Sequence, residues 1–105
     1  MPTLPDLGRF TDVGILLLIS LSGGDKHGYA IMDDIQDLTG HRPGPGTLYG
    51  AIARLEALGW IEPAPSDDRR KPYRLTGNGR AALHEQLSIM NHLVVTGSAR
   101  LGQTT

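Results

Sequence analysis

At 105 residues, with net charge −1 and no cysteine, the chain has room for one domain with a modest core. A disulfide framework, a thiolate nucleophile and a cysteine-based zinc site are excluded. No stretch reaches the roughly 18 apolar residues of a membrane span, and "MPTLPDLGRF" lacks the basic start and apolar core of a signal peptide, so a cytoplasmic protein is expected. The charge is unevenly spread. Residues 1–41 carry −4, from Arg9 and Lys26 against Asp6, Asp12, Asp25, Asp33, Asp34 and Asp37. Residues 42–80 carry +3, from Arg42, Arg54, Arg69, Arg70, Lys71, Arg74 and Arg80 against Glu56, Glu62, Asp67 and Asp68. Local charge, more than the total, sets attraction to a phosphate backbone.

The spacing of apolar residues predicts a first helix over 6–21. Leu7, Phe10, Gly14, Leu17, Leu18 and Leu21 share one face, and Val13, Ile15, Leu16 and Ile19 fill most of the rest. A helix apolar nearly all round is covered on more than one side. It is either a central core helix or one that meets a second subunit. "SGGDKHG" breaks the chain, and a second helix is expected over 28–38, with Tyr29, Ile31, Met32, Ile35 and Leu38 apolar and Gly40 as its C-cap. A third is expected over 45–58. It starts at Pro45, which suits a first turn, buries Leu48, Ile52 and Leu55 with Leu58 close by, and ends at Gly59. Its outward residues, Gly46, Thr47, Tyr49, Gly50, Ala53, Arg54 and Ala57, are mostly small. "WIEPAP" and "PYRLT" then read as two short strands joined by the charged tip "SDDRRK", an edge-like ribbon restricted by Pro63, Pro65 and Pro72. Thr76 suits the N-cap of a fourth helix over about 77–96. Its wide apolar face carries Leu83, Leu87, Met90 and Val94, flanked by Ile89 and Leu93, and Gly97 is expected to end it.

Three helices followed by a ribbon is the order of a winged helix-turn-helix, a mostly α fold with a small β-hairpin. Residues 6–76 would form that unit and 77–97 a C-terminal dimerisation helix, all within a single domain, 1–105. In such a fold the third helix enters the major groove. Small residues and Gly50 on its outer face would let the helix axis approach the base edges, and Thr47 and Tyr49 supply polar reach. Arg69, Arg70 and Lys71 at the ribbon tip would lie along the phosphate backbone or enter the minor groove.

Three stretches in this order, "HGYAI", "GPGTLYGAIARLEALGWIE" and "RRKPYRLTGNGRAAL", resemble the signatures of PadR-family transcriptional regulators over about residues 12–87. The resemblance implies a homodimer, paired through its first and last helices, that represses transcription at an inverted-repeat operator on double-stranded DNA. The single helix after the wing is similar to the family's small subtype. By the same resemblance "GTLY" sets Thr47 and Tyr49 at the DNA surface, and "RRKPYRLT" sets Arg69, Arg70 and Lys71 on the wing. The expected DNA-facing residues are therefore Arg42, Thr47, Tyr49, Gly50, Ala53, Arg54, Arg69, Arg70, Lys71 and Arg74. The expected dimer residues are Phe10, Leu16, Ile19, Leu87, Met90 and Val94. Two departures stand out. Asp67 and Asp68 precede the wing bases and weaken phosphate attraction there. No aromatic residue follows Tyr73, so the last helix offers no ring on which a flat effector could stack. A small-molecule effector of unspecified chemistry would act by changing the spacing of the paired third helices.

Each of these residues also has a plainer role open to it. Tyr49 bonds phosphate or covers the third helix against the wing. Arg42, Arg54 and Arg74 reach phosphate or pair with carboxylates on a solvated face. Trp60 reads as a core residue sealing the wing to the third helix, with a ligand role as the alternative, Tyr29 as packing, with phosphate contact as the alternative, and His27 as a helix start. His84 and His92, eight apart on one helix, do not match a metal-ligand spacing, and neither a P-loop nor an organised nucleophile is present. No enzyme, metal site or cofactor is expected. The alternative function is a winged-helix protein-interaction module whose basic ribbon meets an acidic partner.

Overall fold

The computed structural model describes residues 12–67 and 69–103, without the side chain of Gln103. In chain order it comprises α1 (Val13–Ser22), β1 (Lys26–His27), α2 (Gly28–Thr39), α3 (Pro45–Ala57), β2 (Ile61–Pro63), β3 (Pro72–Leu75) and α4 (Gly77–Gln103).

The first helix starts later than its apolar pattern suggests. Asp12 has extended backbone, ψ 139°, and its Oδ1 accepts the Gly14 N–H at 2.9 Å. This is an N-cap, which satisfies a donor that the helix leaves open. Residues 6–11 of the expected helix lie outside the described residues. Leu17, Leu18 and Leu21 of α1 are buried, whereas Val13, Ile15, Leu16 and Ile19 are half-buried.

The second helix ends at Gly40, as its sequence signals. That glycine is left-handed, φ 77°, and its N–H closes on the Gln36 carbonyl at 2.7 Å. Ile31, Met32 and Ile35 are buried, but Tyr29 and Leu38, expected on the same apolar stripe, are exposed. They sit at the two ends of the helix, beyond the patch that α1 and α3 cover. In α3, Leu48, Ala51, Ile52 and Leu55 face the core. Leu58 does not join them: it is the C-cap and is 53% exposed. Gly59, φ 76°, then turns the chain into β2.

The ribbon is a three-stranded sheet of order β1-β3-β2, which corrects the expected two-stranded, edge-like pair. The central strand is β3, antiparallel to both neighbours, with Lys26 opposite Tyr73, His27 opposite Pro72, and Glu62 opposite Arg74. Pro72 is tolerated because it is the first residue of its strand.

Thr76 caps α4: its Oγ1 accepts the Gly79 N–H at 3.0 Å and donates to the Gly59 carbonyl at 2.6 Å. Gly79 brings the first turn of α4 onto the turn before β2. A Cβ there would collide with the Trp60 carbonyl oxygen and come within 2.8 Å of its carbon. The helix does not stop at Gly97 but continues to Gln103. A glycine ends a helix by turning left-handed, and among the described residues only Gly24, Gly40 and Gly59 have positive φ. At 27 residues, α4 is about 40 Å long. Leu83 packs into the core, whereas the side chains beyond it are largely exposed.

Candidate nucleic-acid interface

The outer face of α3 presents Gly46, Thr47, Tyr49, Gly50, Ala53, Arg54 and Ala57 to solvent, as the sequence predicts. Tyr49 is 46% exposed, and its ring leans across the start of α2. Gly28 makes this approach feasible. A Cβ at that position would clash with the Tyr49 hydroxyl and lie 2.8 Å from Cζ. The tip of Tyr49 therefore lies close against the start of the second helix.

The wing closes the arrangement. His27, Gly28, Tyr29, Tyr49, Arg69, Arg70, Lys71 and Tyr73 line a single open groove of about 330 Å³. Three tyrosines, a histidine and three bases thus converge from α2, α3, the sheet and the loop between β2 and β3. Such a surface suits an anionic ligand with extended sugar and phosphate groups. Burial, then the Glu56 carboxylate, then Tyr49, push the Tyr73 phenol above its ordinary range, so near neutral pH it is a protonated hydroxyl. Among the described residues no carboxylate pairs with Arg69 or Lys71. Asp67 is exposed beside the wing bases; Asp68 lies outside the described residues.

The other three expected bases are held elsewhere. Arg42 pairs with Asp33 and donates to the Gln36 side chain at 3.3 Å, both on α2. Arg54 meets the Asp12 carboxylate at 3.3 Å, so the arginine of α3 ties to the cap of α1. Arg74 donates from Nε to Glu62 at 2.9 Å, directly across the β2–β3 ladder. The groove therefore gathers Tyr49 with Arg69, Arg70 and Lys71, while Thr47, Gly50 and Ala53 are exposed on α3 outside its lining. The fold spends Arg42, Arg54 and Arg74 on carboxylates.

Sequence reasoning gave His27 a helix-starting role, left Tyr29 between packing and phosphate contact, and gave no site role to Tyr73. The signal that assembles them is β1. A strand of two residues has no periodicity of its own, so only its pairing to β3 reveals it.

A second surface lies away from the groove. Along α4, Leu87, Ile89, Leu93, Val94 and Val95 are all at least 40% exposed. Met90, Leu16 and Ile19 are half-buried, and Phe10 lies outside the described residues. Between α1, α3 and α4 runs a cleft of about 210 Å³ lined by Ile15, Leu18, Leu58 and Trp60. Trp60 packs partly against the core. These exposed apolar residues are spread around α4, with Leu87 and Val94 on one side and Ile89 and Leu93 on the other. Among the described residues no three His, Cys, Asp or Glu side chains are placed to hold a metal, and no helix is long and apolar enough to cross a membrane.

Comparison with known proteins places this architecture. The sequence profile of the transcriptional regulator PadR-like family matches residues 15–85. An uncharacterized 37.1 kDa protein in transposon TN4556 of Streptomyces fradiae is 44% identical over 85 residues, covering 81% of this chain. The chain spans only 25% of the length of that relative. Among solved structures, a transcriptional regulator from Clostridium thermocellum is 29% identical with a TM-score of 0.69, over 87% of this chain and 93% of its own. A PadR-like transcriptional regulator from Bacillus cereus, 20% identical, shares the fold with a TM-score of 0.78, over 91% of this chain and 96% of its own.

Proposed function

The chain belongs to the PadR-like family of transcriptional regulators, and from that premise we propose that it is a homodimeric repressor of inverted-repeat operator DNA. Each protomer sets α3 into the major groove, with Thr47, Tyr49, Gly50 and Ala53 toward the bases. Two protomers reach half-sites about one turn, ~10 bp, apart. Arg69, Arg70 and Lys71 supply phosphate contacts, which carry most of the affinity and its salt dependence. Arg42, Arg54 and Arg74 join only by leaving their carboxylates. The observation that carries this reading is the groove in which the wing bases stand beside Tyr49 on the open face of α3.

The second surface supports dimerisation. Fully burying one Leu or Val side chain is worth about 1.5–3 kcal/mol, and α4 leaves several of them in water. Leu16, Ile19, Leu87, Met90 and Val94, with Phe10, form the proposed interface. An effector that favours a mismatched spacing of the two α3 helices would release DNA. The place of action is the cytoplasm.

Fluorescence anisotropy with duplexes from the gene's own upstream region, against scrambled duplex and at several salt concentrations, tests the proposal. Selective binding with a steep salt slope is expected. Equal, weak binding to both duplexes, with capture of an acidic protein partner, would replace it with the protein-interaction reading.

A further inference from the structure

The groove contains a donor whose direction is set by the fold. His27 is the N-cap of α2, and its Nδ1 accepts the Ala30 N–H at 3.4 Å. An imidazole that accepts at Nδ1 carries its proton on Nε2. The β1–β3 pairing sets His27 directly opposite Pro72, the residue after Lys71, and His27 lines the same groove as the three wing bases. One ring nitrogen is thus committed to the helix, and the other carries an N–H in the groove that the wing bases also line.

We propose that His27 donates a hydrogen bond from Nε2 to a single phosphate of the DNA backbone, and that this contact fixes the register of the wing on the duplex. The proposal rests on the DNA-binding reading above. The bases attract the backbone without regard to direction. A donor held by a cap and a strand donates to a phosphate oxygen at one place only, and such contacts position a protein on its duplex.

Two substitutions separate this contact from the capping role. Asparagine is among the best N-caps, and its amide oxygen can replace Nδ1, but its side chain is too short to reach where Nε2 lies. Glutamine reaches that point with an amide N–H but caps poorly. His27→Asn is expected to keep the thermal midpoint of the wild type and to bind operator about tenfold more weakly per half-site. Its salt slope stays unchanged, because Arg69, Arg70 and Lys71, which set that slope, are untouched. His27→Gln is expected to melt earlier yet bind within about twofold of wild type. A cap-only role predicts the reverse order, and wild-type binding by His27→Asn would overturn the proposal.

The phosphate is then located with duplexes carrying one neutral methylphosphonate at a time. One position per half-site should weaken the wild type and leave His27→Asn no weaker than before. Equal losses for both proteins at every position would overturn the contact. A wild type that binds no unmodified duplex would overturn the DNA-binding reading itself, a result distinct from either failure of His27.

Discussion

Replacing Arg69, Arg70 and Lys71 with alanine should weaken binding to operator and scrambled DNA alike. The expected size follows from the groove. Each base that neutralises one phosphate contributes about 0.9 to the slope of log K against log salt. The three wing bases therefore account for up to about 2.7 units per protomer, and twice that in a dimer. Between 50 and 200 mM salt, that share of the slope alone is worth roughly 40-fold in affinity per half-site. Arg42, Arg54 and Arg74 provide the control. Each already meets a carboxylate, Asp33, Asp12 or Glu62, so their replacement should change the slope far less. These pairs are exposed, and each is worth at most about 1 kcal/mol of stability, so both triple variants should remain folded. Anisotropy titrations at four or more salt concentrations read the slopes directly. An unchanged slope in the wing variant would remove the wing from the footprint. Equal losses in the two variants would refute the assignment of the paired arginines.

The proposed interface has a direct test. Replacing Leu87 and Met90 with aspartate should give monomers by light scattering and abolish selective DNA binding, and a variant that stays dimeric would move the interface elsewhere. Gly79→Ala sets a Cβ against the Trp60 carbonyl, backbone that cannot swing aside. It should destabilise the fold by about 2–4 kcal/mol in urea unfolding, and a smaller change would show that the α4–Trp60 contact relaxes easily. Gly28→Ala meets only the tip of the Tyr49 side chain. It should therefore cost little stability while displacing that ring and lowering DNA affinity; unchanged affinity would take Tyr49 out of the interface. Tyr73 binds its proton more tightly in the folded chain than in the unfolded one, chiefly through burial. Its contribution is present below the ordinary phenol pKa, about 10, and is lost as pH rises through the folded value. Denaturation at pH 8 to 11 should show stability falling at the alkaline end, and Tyr73→Phe should remove that component.

Much of this chain can be read from residue order because its signals are local. Gly40, Pro45 and Thr76 mark helix ends through their own backbone and side-chain chemistry, and each stands where the structure turns. The stripe Leu48, Ile52 and Leu55 needs only the helical repeat to face inward. The concentration of bases at 69–71 beside a bare α3 is likewise a fact of composition and spacing. The end of α4 misleads for the same reason. Gly97 carries a stop signal, but a glycine interrupts a helix only if its backbone turns left-handed. Continuing through it weakens the helix by about 1 kcal/mol relative to alanine, which the flanking residues absorb.

What residue order leaves undecided depends on partners far along the chain. Two residues cannot sustain a strand unless another supplies their hydrogen bonds, so β1 exists only because β3 lies beside it. That pairing brings His27 and Tyr29 to the wing and turns a basic tip into one wall of a groove. Asp12 and Arg54 are 42 positions apart, and it is the fold that sets carboxylates beside Arg42, Arg54 and Arg74. Helical periodicity and capping act within a few residues and can be read along the chain. Charge pairing and sheet closure act through space, and only the tertiary structure decides them.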